Sequence, residues 1–276
     1  MTGTRTGTAP VTGGGLSYEI AEGTGPAVVL LHGGLLDRHS WDEQFARLAA
    51  RGHRVVRYDA RGHGRSSTVS GDYAHHDDLR ALLAHLDLPR AVLVGLSLGS
   101  RTALDTALTH PERVAGLVLT APGISGRPFT DPFVKHHTER QIAALGAGGE
   151  EGVGRFVEHF LRMWVDGPHR SPAQVDGALR ERLRASATAN VLRHAAGFGA
   201  GRPQEAGAAD RLGEPATPTL VLTGDLDGAD ILANAHALAD AVPHARHLSL
   251  PGAAHMLPLE RPDLFARELD AFLATL

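Results

Sequence analysis

The chain reads as an α/β protein: a mostly parallel sheet of eight strands flanked by helices, with a helical segment inserted after the sixth strand. Three observations predict this. Short continuous apolar runs, the pattern of strands covered on both faces, alternate with segments of helical period; that rhythm builds a parallel sheet with helices on its faces. The rhythm breaks at Ala121-Pro122-Gly123, and no strong strand pattern returns until about Pro215. Ahead of that break, the run Ala91-Val92-Leu93-Val94 passes through Gly95-Leu96-Ser97-Leu98-Gly99 into a helical stretch.

In order along the chain, the first few residues are expected to be mobile, and Thr6 to Thr12 predicts a short edge strand. Gly13-Gly14-Gly15 signals a turn, and Leu16 to Ile20 alternates apolar with polar as a half-buried strand does. Val28-Val29-Leu30-Leu31 is the first continuous run, followed by His32-Gly33-Gly34. Trp41 to Ala50 has helical spacing, and Val55 to Asp59 is the next strand, ending in the turn Ala60 to Ser67. Ala74 to Leu86 places Leu79, Leu82, Leu83 and Leu86 on one helix side, and Pro89 closes it. After the central strand, Leu98 to Thr109 is helical and Val114 to Leu119 is buried strand. Beyond the inserted region come a strand at Pro218 to Thr223, a helix near Ile231 to Ala241, a strand near Arg246 to Leu250 and a helix from Asp263 to Leu273.

With 276 residues the chain can bury a large core. A net charge of -4 points away from nucleic acid and anionic membrane surfaces. The absence of cysteine removes disulfides, thiolate zinc sites and a cysteine nucleophile together. No apolar run approaches membrane-spanning length and the start carries no apolar leader, so no membrane partner and a cytoplasmic location are expected.

The stretch with chemistry in it is Gly95-x-Ser97-x-Gly99. Glycines on either side let the backbone turn sharply from strand to helix. That turn presents the Ser97 hydroxyl at the top of the sheet beside a helix N-terminus, which favours developing negative charge. A neutral serine is a poor nucleophile; it needs a base for its proton and a partner to orient that base. Two downstream loops at strand carboxyl ends offer them: Gly224-Asp225-Leu226-Asp227-Gly228 and Pro251-Gly252-Ala253-Ala254-His255-Met256. Asp225 and Asp227 lie two apart, so spacing alone does not choose between them. Both are also ordinary turn residues, and His255 is one of 17 histidines.

Eight strands, an insert after the sixth and Ser97 after the fifth: this order resembles the α/β-hydrolase fold over nearly the whole chain, least in the insert. The resemblance implies the chain order serine, acid, histidine, and its Gly-x-x-Asp pattern selects Asp227, with His255 as base. It implies an oxyanion hole from the backbone N–H groups of Leu98 and, after strand three, Gly34 in His32-Gly33-Gly34, with His32 bracing the loop. Asp59-Ala60-Arg61-Gly62-His63-Gly64-Arg65-Ser66 matches a further hallmark, expected to hold tight turns and an Asp/Arg pair beside the site. It also implies residues 1–121 and 216–276 as the core and 122–215 as a helical cap. Within the cap, Phe129, Phe133, Phe160, Met163 and Trp164 either line an acyl pocket or form the cap's own core.

Other clusters have plainer readings. His75-His76-Asp77-Asp78 is a solvated helix start, since adjacent helical residues face different ways, and His136-His137 is read alike. Gly146 to Gly154 lacks the Lys and Ser/Thr of a phosphate loop and is expected to be a flexible connection. A serine at position 97 argues against the haloalkane dehalogenases and epoxide hydrolases of this fold, which use aspartate there. His32-Gly33-Gly34-Leu35-Leu36 differs from the His-Gly-Gly-Pro-Gly of proline iminopeptidases, and Gly95-Leu96-Ser97 from the Gly-Asn-Ser of ring-cleavage hydrolases. Gly-Leu-Ser-Leu-Gly with Arg-Gly-His-Gly upstream is similar to enol-lactonases and bacterial carboxylesterases. The implied activity is hydrolysis of a small-molecule ester, lactone or thioester through an acyl-enzyme, needing no cofactor and no metal. The alternatives are a ligand-binding homologue without turnover, or a carbon–carbon hydrolase or lyase using the same triad.

Overall fold

The computed structural model describes residues 3–276, so the expectation for the first two residues lies outside it. β1 (Thr4–Val11) and β2 (Gly14–Ala21) form an antiparallel hairpin at the sheet edge. The remaining strands are β3 (Ala27–Leu31), β4 (Arg54–Tyr58), β5 (Ala91–Leu96), β6 (Val114–Thr120), β7 (Thr219–Gly224) and β8 (Arg246–Leu250). They form one sheet in the order β1-β2-β4-β3-β5-β6-β7-β8, parallel from β4 onward. β3 is hydrogen-bonded to both β4 and β5, so the chain reverses its direction of travel across the sheet there. Such switch points open a crevice at the strand carboxyl ends.

Helices α1 (Asp42–Ala50), α2 (His75–His85) and α3 (Leu98–Thr109) lie between the first strands. Between β6 and β7 come α4 (Pro132–Ala147), α5 (Gly149–Leu161) and α6 (Gly177–His194), with no sheet strand among them. α7 (Ala229–Ala241), the single turn α8 (Leu257–Glu260) and α9 (Pro262–Leu273) complete the chain. Alternation along the buried strands sorts the core onto two faces. Val92, Val94 and Leu96 pack with Trp41, just before α1, with Leu48 of α1 and with Phe265 and Leu269 of α9. Ala91 and Leu93 pack with Leu79 and Leu83 of α2, Leu104 of α3 and Leu238 of α7. A fully apolar strand is required because both faces are covered.

The inserted helices add Phe156, Phe160, Leu183 and Val191 to the first of these clusters. The expected flexible connection over Gly146 to Gly154 is instead a tight junction at Gly148 and Gly149, at φ 65° and 64°. Gly152 and Gly154 belong to α5. A Cβ on Gly152 would stand 2.7 Å from the Ala144 carbonyl oxygen, so that glycine serves helix packing. α5 continues as a π turn, Arg162–Asp166. The buried Asp166 carboxylate accepts hydrogen bonds from Arg162 and from Arg180 of α6, tying the two helices together. Among the described residues no helix is long and apolar enough to cross a membrane.

Candidate active site

Ser97 joins β5 to α3 at φ 55° and ψ -106°, a backbone conformation rare for a residue with a side chain. The surroundings hold it there. A Cβ on Gly95 would lie 2.3 Å from the Gly99 carbonyl carbon, and one on Gly99 would lie 2.1 Å from the Leu31 carbonyl oxygen. Both glycines are therefore demanded by backbone packed on backbone. The Ser97 N–H donates to the Thr120 carbonyl at 2.9 Å, and the Arg101 N–H to the Ser97 carbonyl at 3.0 Å. The Ser100 hydroxyl lies within 2.8 Å of the Gly95 carbonyl oxygen.

The loops that carry Asp227 and His255 touch in the same way. A Cβ on Gly224 would lie 2.1 Å from the Ala253 carbonyl oxygen, and the Leu226 N–H donates to that oxygen at 2.9 Å. Asp227 Oδ2 stands 3.0 Å from His255 Nδ1, and both side chains are buried. Asp225 is exposed, and its carboxylate accepts from the Gly252 N–H at 2.7 Å. Of the two aspartates that spacing left open, Asp227 meets the histidine and Asp225 braces the histidine's loop. With Nδ1 bonded to Asp227, His255 has Nε2 left for a substrate or a serine.

After β3, His32 accepts the Ala60 N–H at Nε2, which places its proton on Nδ1, 2.7 Å from the Gly33 carbonyl oxygen. His32 thus braces the loop, as expected. The backbone N–H groups of Gly34 and Leu98 make no hydrogen bond among the described residues. Asp59 does form an Asp/Arg pair, but with Arg38, at 2.7 Å; Arg61 pairs with Asp78 instead. A Cβ on Gly64 would strike the Asp59 carboxylate at 2.3 Å. The Gly64 N–H donates to Asn190 of α6 at 2.7 Å, so this turn is also where the inserted helices dock. His75 and His76 open α2, and Asp77 is exposed beside His110. Among the described residues no three metal-ligating side chains converge.

Ser97, Leu98, Gly34 and His255 line one cavity of about 350 Å³. Phe129, Phe160 and Trp164 line it too, and the Trp164 ring lies 4.5 Å from the His255 ring. Phe133 and Met163 do not. The Phe133 ring packs edge-on against His137, and Met163 is buried with its sulfur 3.7 Å from the Thr138 hydroxyl. Met163 and Trp164 are neighbours in the π turn, so their side chains leave in different directions. Arg101, Gln141, Phe156 and Met256 also line it, and the sequence reading does not place them there; Gly33, Leu35 and Gly123 complete the wall. For Arg101 a signal existed: it follows Ser97 by four residues, one helical turn further along the same face. A larger polar groove of about 860 Å³, between Glu43, Arg182 and Arg261, contains neither Ser97 nor His255.

Residues 26–262 match the family model described as alpha/beta hydrolase fold. The chain belongs to that family. It is 30% identical to a non-heme haloperoxidase of Rhodococcus erythropolis over 91% of this chain and 93% of that protein. A solved hydrolase from Pseudomonas aeruginosa superposes with a TM-score of 0.80 at 30% identity, covering 98% of each chain. The enol-lactonase from Burkholderia xenovorans superposes with a TM-score of 0.79 at 27% identity, covering 97% of this chain and all of that one. Proteins of this family thus carry several different activities, and the site must decide among them.

Proposed function

We propose that this α/β-hydrolase family member is a serine hydrolase that cleaves a carboxylic ester, lactone or thioester of a small molecule through an acyl-enzyme on Ser97. One observation carries the reading: a serine held at positive φ shares a single small cavity with a histidine whose other nitrogen is bonded to a buried carboxylate. In this scheme Ser97 Oγ attacks the carbonyl and its proton passes to His255 Nε2. Asp227 holds the ring and offsets its charge. The N–H groups of Gly34 and Leu98 receive the oxyanion; each such donor is worth about 100- to 1,000-fold in rate. His255 then gives the proton to the departing alkoxide or thiolate. Water attacks the acyl-enzyme, loses its proton to His255, and the acid leaves as Ser97 regains its hydrogen.

Residues 1–121 and 216–276 serve as the catalytic core, and 122–215 as a cap whose Phe129, Phe156, Phe160 and Trp164 set substrate size. The lactonase likeness supports a cyclic ester as one form of the substrate. A panel of esters, lactones and thioesters followed by mass spectrometry tests the reading, with Ser97→Ala as control. An acid plus an alcohol or thiol, formed only with Ser97 present, is the expected result. An unchanged panel, or a cleaved carbonyl compound without added water, overturns it.

A further inference from the structure

Arg101 is the one permanently charged residue lining the cavity; the rest of the wall is apolar side chains, glycines, Gln141, Ser97 and His255. Its guanidinium is fixed from one side. Nη1 donates to Glu205 at 2.7 Å, and Glu205 in turn accepts the Gly126 N–H at 3.2 Å. The opposite edge is idle: Nε is buried without a partner, and Nη2 makes no hydrogen bond among the described residues. That edge faces Gly123, another lining residue. A Cβ there would lie 3.4 Å from Nε, 3.5 Å from Nη2 and 3.6 Å from the Ser97 carbonyl oxygen. The missing side chain leaves free the space beside a planar two-donor edge, next to Ser97. An Nε/Nη2 edge matches the two oxygens of a carboxylate. A buried guanidinium donor left without an acceptor is costly, and an apolar cavity rewards whatever satisfies it.

We propose that Arg101 is a specificity residue that receives a free carboxylate of the substrate, which makes the preferred substrate an ester or lactone of a dicarboxylic acid. Glu205 anchors the guanidinium, and Gly123 keeps the receiving edge open. The space beside Gly123 lies within 3.6 Å of both the receiving edge and the Ser97 carbonyl oxygen, so the carboxylate lies only a few bonds from the scissile carbonyl.

This rests on the hydrolase reading above, and the test separates the two. Hydrolysis of 4-nitrophenyl hydrogen glutarate is compared with that of 4-nitrophenyl pentanoate, and the readout is the ratio of their kcat/KM values. The wild-type ratio is expected to favour the glutarate by about tenfold or more. Charge-assisted hydrogen bonds of about 1.5–3 kcal/mol correspond to about 10- to 150-fold, so Arg101→Leu should lower the ratio within that range. Arg101→Lys keeps the charge but loses the fork and should fall between. Gly123→Ala crowds the edge and should lower the ratio severalfold; these two variants carry the test if Arg101→Leu does not fold. A wild type that prefers the pentanoate, or a ratio that Arg101 and Gly123 variants leave unmoved, overturns the carboxylate site while the hydrolase reading stands. Turnover of neither ester overturns both.

Discussion

The two halves of the site are built by different means. The Ser97 turn is set by main-chain contact. Gly95 and Gly99 bring β5, α3 and the end of β3 into backbone contact, and the serine's φ of 55° follows from that packing. At His255 the two loops also meet at the backbone, but the ring is oriented by side chains from distant segments. Asp227 meets the ring at Nδ1, Trp164 of the inserted helices lies against it, and Glu260 accepts the Ala254 N–H at 3.1 Å. Glu260 is held by Arg170 at 2.6 Å, and Arg170 also donates to the Val165 and Asp166 carbonyls of the π turn. The inserted helices therefore reach the histidine twice, through a ring contact and through an ion pair. Backbone contact fixes the Ser97 turn and, at Gly224 and Ala253, the two loops at His255; only the orientation of the His255 ring depends on side-chain bonds.

The comparison can be broken hardest at Gly99. Gly99→Ala puts a methyl 2.1 Å from the Leu31 carbonyl oxygen, which no side-chain motion relieves. It should cost more than about 4 kcal/mol or prevent folding, by denaturant midpoint. Gly34→Ala is the counterpart: nothing lies within 4 Å of the added carbon, and stability should stay within about 0.5 kcal/mol. Next in size is Asp227→Asn, which should leave a folded protein whose turnover is lower by about 10,000-fold, the cost of this change in a serine protease. Asp225→Asn should keep most of its turnover and lose stability, because it braces a loop rather than the ring; equal losses in the two variants would erase the distinction between them.

A smaller effect is expected where the inserted helices meet the base. Arg170→Gln removes the ion pair of Glu260, and kcat for a small acetate ester should fall about tenfold, in line with lost orientation of a base. Trp164→Ala should instead change preference among acyl sizes more than it changes the acetate rate. If both variants behave alike, the ring contact and the ion pair are one device. The smallest effect is on stability against pH. Burial holds His63 well below the ordinary histidine value of 6.5, and His75 is pushed down to about 3, again chiefly by burial. Between those values the unfolded chain binds protons that the folded chain does not. Stability should therefore be level above about pH 6.5 and fall as pH drops below it. His75→Gln should flatten that slope in urea titrations at pH 7.5 and 5.

What was legible in the sequence divides along the same line. Gly95, Gly99 and Gly224 could be read because steric demands leave a residue type at a fixed spacing. The strand and helix order could be read because both faces of the sheet are covered. Asp227 was separated from Asp225 only by family pattern, since two residues apart in a loop point alike until the turn is known. Whether Met163 and Trp164 line the pocket or the cap core could not be read, because helical phase changes where α5 passes into a π turn with extra residues per turn; for Phe133 and Phe156 the choice depends on how α4 and α5 pack, which leaves no local pattern. Arg38, partner of Asp59, and Arg170, partner of Glu260, come from far along the chain, and such side-chain meetings leave no local signature.

Covalent capture asks whether Ser97 is a nucleophile served by His255 and by the Gly34 and Leu98 N–H groups. The protein is treated with a fluorophosphonate and its mass and peptide map are recorded beside those of His255→Ala. A single adduct is expected, on Ser97, and its formation should slow by orders of magnitude without His255. An adduct on another serine, no adduct on folded protein, or a rate indifferent to His255 would contradict that role for Ser97.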